Sequence, residues 1–167
     1  IERLFVGHWR RAHESGCRFV RATRRVEVAP GDLVVAGAGG EPTDVNLVQS
    51  HKAFEAAIGA LMPGGVFVLV ARCREGAGND DFLPFLRHGS EGAMVQALEE
   101  DFRVYRQTAL SWFRKASSCR LILVSDLPEE AARLLRAEPA SDLPEAFGLA
   151  ARTLPRGTRG WALAHGG

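Results

Sequence analysis

The sequence lacks long apolar runs and has little lysine. No stretch approaches the roughly 20 apolar residues that a membrane helix needs, and the first residues do not show the pattern of a secretory signal. The formal net charge is only +1, so no strong field of one sign indicates a nucleic-acid partner. We therefore expect neither a membrane nor a nucleic acid as partner. Lys52 and Lys115 are the only lysines, so Lys52 does not come from a lysine-rich background.

Cysteine and histidine are also sparse. Cys17, Cys73 and Cys119 are far apart, without a CxxC spacing or a paired-histidine spacing. This pattern argues against a zinc site and a disulfide framework, and it favours a reducing, cytoplasmic compartment. The five histidines lack metal-ligand spacing as a set, so we predict no metal site in this chain.

The length of 167 residues fits one domain, residues 1–167, with a sizeable core. Apolar residues make up 46% and charged residues 25%, as in ordinary globular proteins. The sequence begins at Ile1 in the middle of a pattern, without methionine. We therefore expect it to be a piece of a longer protein.

Apolar strand patterns alternate with helical ones along the chain. We predict buried strands at Asp32–Ala38, Val66–Ala71 and Leu121–Val124, with short strands around Val26–Val28 and Trp161–Ala164. Helical spacing covers 8–22, 44–61, 79–87, 91–101, 103–116 and 142–153, and another helix is expected to start near Pro128. This alternation predicts an α/β fold with an open, mostly parallel, Rossmann-like sheet and helices on both faces.

The glycine-rich loop after the strand Asp32–Ala38 is the most informative one. Gly39 and Gly40 permit a tight turn and close approach of the backbone to a ligand. Thr43 or Asp44 is expected to cap the next helix. Free N–H groups at that helix start would favour an anion.

A polar stripe follows on the first turns of this helix. Asn46, Gln49 and Lys52 recur every third residue and so share one face. Lys52 can neutralise a carboxylate, and the amide of Gln49 can bind a hydroxyl or carbonyl oxygen. The stripe suits a small anionic hydroxy acid, although such a stripe is more often just the solvated side of a helix.

The segment 37–78, GAGGEPTDVNLVQSHKAFEAAIGALMPGGVFVLVARCREGAG, resembles the C-terminal domain of the nickel-dependent lactate racemase family. That family carries Gly-Gly-x-Pro-x-Asp-x-Asn-x-x-Gln-x-x-Lys, then Gly-Gly and Glu-Gly-x-Gly. These motifs correspond here to residues 39–52, 64–65 and 75–78.

The resemblance implies a function for the chain within a larger enzyme. In the family, an N-terminal domain holds a nickel-pincer nucleotide on a lysine and supplies the catalytic histidines. A hydride moves from C2 of a 2-hydroxy acid to this cofactor and back. By resemblance, Gln49 and Lys52 bind the substrate, and Gly39, Gly40, Asp44 and Asn46 belong to the motif lining the site. No residue of this chain is then expected to be catalytic, and the isolated chain is expected to be inactive.

The chain departs from the family pattern at two positions. Val48 stands where an aromatic residue is frequent, and Glu41 adds negative charge where an apolar residue is common. Both departures leave the identity of the 2-hydroxy acid open. Glu75 and Tyr105 are candidates for the pocket wall, whereas Trp112 is expected in the core and His51 is expected to face away from Gln49 and Lys52.

Two other functions fit the residues. The glycine loop also resembles a Rossmann-type site for S-adenosylmethionine or a nucleotide. Such a site needs an acidic residue after the next strand, where this chain has Arg72 and Cys73. The second alternative is a non-catalytic anion-binding module.

Overall fold

The fold is built on a five-stranded sheet in which every neighbouring pair of strands is parallel. The computed structural model describes residues 1–165. The strands are β1 (Gly31–Gly37), β2 (Leu61–Val70), β3 (Arg120–Val124), β4 (Ala137–Ala140) and β5 (Gly160–Leu163), in the spatial order β4-β3-β2-β1-β5. The predicted open, mostly parallel sheet is confirmed.

Seven α-helices accompany the sheet within the described residues. They are α1 (Trp9–Arg24), α2 (Leu47–Ala57), α3 (Phe82–Leu86), α4 (Glu91–Glu100), α5 (Arg106–Ala116), α6 (Glu129–Leu134) and α7 (Leu143–Ala151). A 3-10 turn, Ile58–Ala60, follows α2 directly and leads into β2. None of the helices is both long and apolar enough to cross a membrane, as far as residues 1–165 are concerned.

Alternating side chains of the central strands bury two separate apolar layers. Phe67 and Leu69 of β2 pack into the larger layer with residues of α2 to α6. Val66 and Val68 point to the other face, where they pack with residues of α7. Both faces therefore carry helices, as predicted. Crossovers between parallel strands are almost always right-handed, so connections that run in opposite directions across a sheet lie on opposite faces. The connection that contains α7 runs back across the sheet to β5, and α7 therefore lies on the face opposite to α2.

The structure differs from the predicted strands at two places. The segment around Val26–Val28 forms no strand, so that prediction is wrong. Conversely, β4 was not predicted, since its sequence AEPA contains little that favours a strand. A proline is tolerated there because β4 is an edge strand, where one side of the backbone needs no partner.

Residues 1–24, here called the N-terminal arm, stand apart from the core. None of the residues of α1 is buried. The arm is held to itself, because Phe5 packs against Phe19 with ring centroids 5.8 Å apart and Arg24 pairs with Glu2 at 2.8 Å. Trp9 and Val20 remain exposed. The apolar stripe of this helix therefore serves no core contact.

The strand order also defines where a ligand site is expected. The chain proceeds from β1 to β4 in one direction and then returns to place β5 on the other side of β1. Ligands of such sheets bind beyond the carboxyl ends of the strands, at the point where the order reverses. The loop that leaves β1 starts at this point.

Candidate functional site

The loop between β1 and α2, residues 38–46, is called the first loop. Gly39 and Gly40 have φ angles of 96° and 79°, a conformation that favours glycine. The hydroxyl of Thr43 donates to the carbonyl of Ala38 at 2.6 Å and lies 2.9 Å from where a Cβ on Gly39 would stand. Thr43 thus closes the turn and does not cap α2.

Asn46 is the residue that caps α2, which corrects the expectation of Thr43 or Asp44. Its Oδ1 accepts a hydrogen bond from the backbone N–H of Gln49 at 3.0 Å. Asn-x-x-Gln has the spacing of a capping box, so the signal was present in the sequence. The side-chain oxygen of Asn46 is therefore used within the protein.

The first loop is joined to the loop after β2, residues 71–81, called the second loop. Backbone N–H groups of Cys73 and Glu75 donate to the carbonyls of Asp44 and Val45, both at 2.8 Å. In the other direction, Leu47 donates to Gly76 at 3.0 Å and Val48 to Ala77 at 3.2 Å. These four bonds fix the two loops to each other.

This pairing overturns the expectation that the start of α2 binds an anion through free N–H groups. The first two N–H groups of the helix, those of Leu47 and Val48, are taken by the second loop. The third, that of Gln49, is taken by Asn46. The first three N–H groups of α2 are therefore not available to an anion.

Gln49 and Lys52 lie together on the outer side of α2, as their spacing predicts. Nζ of Lys52 donates to Oε1 of Gln49 at 2.7 Å. Lys52 is exposed, and no carboxylate among residues 1–165 lies within ion-pair distance of it. Its positive charge is thus oriented by an uncharged partner and is available to an anion.

The charge of Glu41 is neutralised by a residue of the second loop. Oε1 of Glu41 accepts from Nη2 of Arg74 at 2.7 Å. Nearby, Arg72 pairs with Asp126 at 3.0 Å, and this partner raises the pKa of Arg72 further. Arg74 was missed by the sequence analysis, because only the fold brings it to Glu41.

Cys73 is the third residue after β2, and its backbone has a left-handed conformation, with a φ of 54°. Its side chain is buried, and its Sγ lies 3.5 Å from the hydroxyl of Ser50. Burial raises the pKa of the Cys73 thiol, and the contact with Ser50 only partly opposes this. Neither Cys73 nor Ser50 is predicted from the sequence as a residue of the site.

The two candidates for the pocket wall occupy different environments. Glu75 is exposed on the second loop, and its backbone is bonded to the first loop. Tyr105 precedes α5 with a φ of 75° and packs against the larger apolar layer. No hydrogen bond joins Tyr105 to Gln49 or Lys52 in the part of the chain that is described. A role of either residue as a pocket wall stays a prediction.

Trp112 and His51 have the structural roles that were expected. Nε1 of the buried Trp112 donates to the carbonyl of Leu135 at 2.9 Å, and its ring meets Phe54 edge-on. Nδ1 of His51 donates to the carbonyl of Val48 at 2.6 Å. These contacts use Nε1 of Trp112 and Nδ1 of His51 within the protein.

A large groove lies elsewhere, at the opposite end of α2. It has a volume of about 730 Å³ and is lined by residues 25–28, the end of α2 and β5. Its size does not make it the site, because ligands of parallel α/β sheets bind at the carboxyl ends of the strands. The start of α2, with Gln49 and Lys52, lies at that end.

The side chains that could hold a metal ion are scattered over the described residues. Within the described range, no three side chains of His, Cys, Asp or Glu are grouped to hold one. The described residues of this chain therefore do not fit a nickel centre of their own.

Comparison with known proteins identifies the family. A family model described as "Lactate racemase C-terminal domain" matches residues 26–159. Lactate racemase from Thermoanaerobacterium thermosaccharolyticum is 35% identical over 91 residues, which are 54% of this chain and 21% of that protein. Lactate racemase from Lactiplantibacillus plantarum is 35% identical over 78 residues, which are 47% of this chain and 18% of that protein.

A solved structure agrees with these matches. The structure of the lactate racemase apoprotein from T. thermosaccharolyticum superimposes with a TM-score of 0.82 and 28% identity. The match covers 96% of this chain but only 40% of that chain, so the chain spans well under half of its relative. The family model covers most of the sequence, including the first and second loops. The chain therefore belongs to the lactate racemase family and corresponds to its C-terminal domain.

Proposed function

We propose that this chain is the substrate-binding part of a 2-hydroxy-acid racemase or epimerase, in which Lys52 and Gln49 hold the acid. The observation that carries the proposal is the exposed Lys52 ammonium, bonded to Gln49 at 2.7 Å and lacking a carboxylate partner among residues 1–165. A lysine next to an amide, one turn into a fixed helix, matches a small molecule with a carboxylate and a neighbouring hydroxyl.

The geometry suggests a separate role for each side chain. Lys52 binds the substrate carboxylate as a point charge. Gln49 contacts the 2-hydroxyl, because its amide nitrogen stays available while its oxygen is bonded to Lys52. The bonds between the two loops fix the first turn of α2, so both side chains start from a rigid backbone. Holding the acid at two points fixes the direction in which C2 faces.

The reaction itself needs groups outside this chain. The nickel-pincer nucleotide of the family, when bound, supplies the acceptor and donor of the hydride. We assign it and the proton-transferring histidines to an N-terminal domain of the same enzyme. The contribution of this chain is to bind and orient the substrate.

The exposed apolar side chains of the N-terminal arm argue for a partner domain. Trp9, Val20, Leu4 and Val6 are all exposed, and such groups of apolar side chains mark contacts with other protein surfaces. The known relatives are also much longer than the matched segment. The three free cysteines are in keeping with a cytoplasmic enzyme.

The alternative of a nucleotide or S-adenosylmethionine site finds less support. Such sites bind phosphate or ribose groups with help from N–H groups at a helix start. Here those of Leu47 and Val48 are bonded to the second loop. Arg72 and Cys73, which follow β2 after Ala71, provide no acid for a ribose.

The full-length enzyme, loaded with its cofactor, provides the test. A panel of single-enantiomer 2-hydroxy acids, from lactate to larger polar acids, is followed by chiral chromatography. We expect inversion of at least one acid at C2. If none is inverted while S-adenosylmethionine binds in calorimetry, the proposed function is wrong and the nucleotide alternative takes its place.

A further inference from the structure

Ser50 stands out as the one polar or charged residue that is buried among residues 1–165. It is 0% exposed, and Cys73, its neighbour across the two loops, is 2% exposed. Ser50 lies on α2, directly after Gln49 and two positions before Lys52, whereas Cys73 lies on the second loop. Their contact at 3.5 Å is therefore a side-chain connection between the proposed binding helix and the second loop.

The direction of the two hydrogen bonds follows from the available protons. The hydroxyl of Ser50 donates its single proton to the carbonyl of Asn46 at 2.9 Å. The oxygen of Ser50 is then left as an acceptor, so the thiol of Cys73 is the donor between the two side chains. Burial favours the protonated thiol, since it raises the pKa of Cys73. The two hydrogen bonds thus run from the thiol of Cys73 through the hydroxyl of Ser50 to the backbone carbonyl of Asn46, the residue that caps α2.

The backbone of Cys73 is fixed on both sides. Its N–H donates to the carbonyl of Asp44 at 2.8 Å, and its own carbonyl accepts from Gly76 at 2.9 Å. A non-glycine residue in a left-handed conformation costs free energy, so the surrounding contacts must hold it there. This places the thiol beneath the first turn of α2, where Ser50 is.

We propose that Ser50 and Cys73 are positioning residues for the substrate site. Their contact holds the first turn of α2 against the second loop and thereby sets where Gln49 and Lys52 stand. The functional part of this inference rests on the proposed function, whereas the positional part can be measured without any substrate.

The first test measures position directly by amide hydrogen exchange in the full-length enzyme. In Ser50→Ala and Cys73→Ala we expect exchange at Leu47 and Val48 to become about five- to tenfold faster, with unchanged exchange in β3. Cys73→Ser keeps a hydrogen-bond donor and places the same requirements on the backbone conformation. It is expected to retain most of the protection of the Leu47 and Val48 amides. Cys119→Ala removes a partly buried thiol that contacts Lys115 and serves as the matched control.

The second test measures the consequence for the substrate. We expect Ser50→Ala and Cys73→Ala to raise KM for the inverted 2-hydroxy acid about five- to tenfold, with kcat changed less than about twofold. Cys73→Ser is expected to recover KM, and Cys119→Ala is expected to leave both constants unchanged.

The outcomes separate the two proposals. Unchanged exchange at Leu47 and Val48 in both alanine variants overturns the positioning role, whether or not the enzyme inverts an acid. Faster exchange with an unchanged KM overturns the link to the substrate. If the wild type inverts no 2-hydroxy acid, the proposed function fails, and the exchange data still decide whether the pair positions α2.

Discussion

Gly78 of the second loop lies against Asn46, the residue that caps α2. A Cβ added to Gly78 would stand 2.6 Å from Oδ1 and 2.8 Å from Nδ2 of Asn46, well inside van der Waals contact. Gly78→Ala must therefore push the Asn46 side chain from its position at the start of α2. Gly76 is a matched control, because its φ of 71° is close to the 77° of Gly78 and a Cβ there meets nothing within 4 Å.

The magnitude follows from two contributions. Alanine in the left-handed conformation costs about 1 to 2 kcal/mol, and this cost applies to both variants. Loss of the Asn46 cap adds about 1 kcal/mol for Gly78→Ala alone. We therefore expect Gly76→Ala to lower the free energy of unfolding by about 1 to 2 kcal/mol and Gly78→Ala by about 2 to 3 kcal/mol.

Urea titration of the two variants measures the difference, provided that unfolding is two-state. Adding Asn46→Ala to each variant completes a double-mutant cycle. In that background we expect the two glycine substitutions to cost the same, because the displaced side chain is gone. Equal costs of Gly76→Ala and Gly78→Ala with Asn46 present would refute the reasoning.

Two further predictions concern stability and reactivity. Arg120 holds the Glu138 carboxylate at 2.6 and 2.7 Å and keeps the pKa of Glu138 below its usual range. Because the folded pKa is lowered, this stabilisation is present above the unfolded pKa and is lost as the pH falls through the folded one. For Glu138→Gln we expect the free energy of unfolding to fall by about 1 kcal/mol at pH 7, a value discounted for the exposure of Glu138. In thermal melts this loss should shrink towards pH 3, and a loss independent of pH would contradict the prediction. Burial raises the pKa of Cys119 to about 11, so iodoacetamide at pH 8 should modify Cys17 of α1 well before Cys119, and peptide mapping that finds Cys119 first would refute this.

The sequence predicts the sheet well because its central strands are buried on both faces. Segments such as Val66–Val70 are continuous apolar runs, a signal that survives without knowledge of the neighbours. β4 was missed because an edge strand needs little apolar sequence, and the segment Val26–Val28 shows that two alternating valines do not make a strand without a partner. Local pattern is thus a good guide in the core and a poor one at the edges.

The candidate site is predicted only as far as it is local. Gln49 and Lys52 share a face because residues three positions apart on a helix are neighbours on its surface. The hydrogen bond between them confirms that placement. Arg74 against Glu41, and Cys73 against Ser50, are contacts between distant segments that only the fold brings together. The occupied N–H groups of α2 also depend on the second loop, so the helix start could not be recognised as closed from its own sequence.

The central claim is that Lys52 holds the carboxylate of a 2-hydroxy acid. The most direct measurement is kcat/KM for inversion of the preferred acid by the full-length, cofactor-loaded enzyme, compared between Lys52→Ala and Lys115→Ala. Lys115 is the only other lysine and is paired with Glu55, so it controls for the loss of a lysine charge. We expect Lys52→Ala to lower kcat/KM about 30- to 1000-fold, which corresponds to about 2 to 4 kcal/mol, and Lys115→Ala to leave it nearly unchanged. Inversion that survives Lys52→Ala at the wild-type kcat/KM would contradict the account.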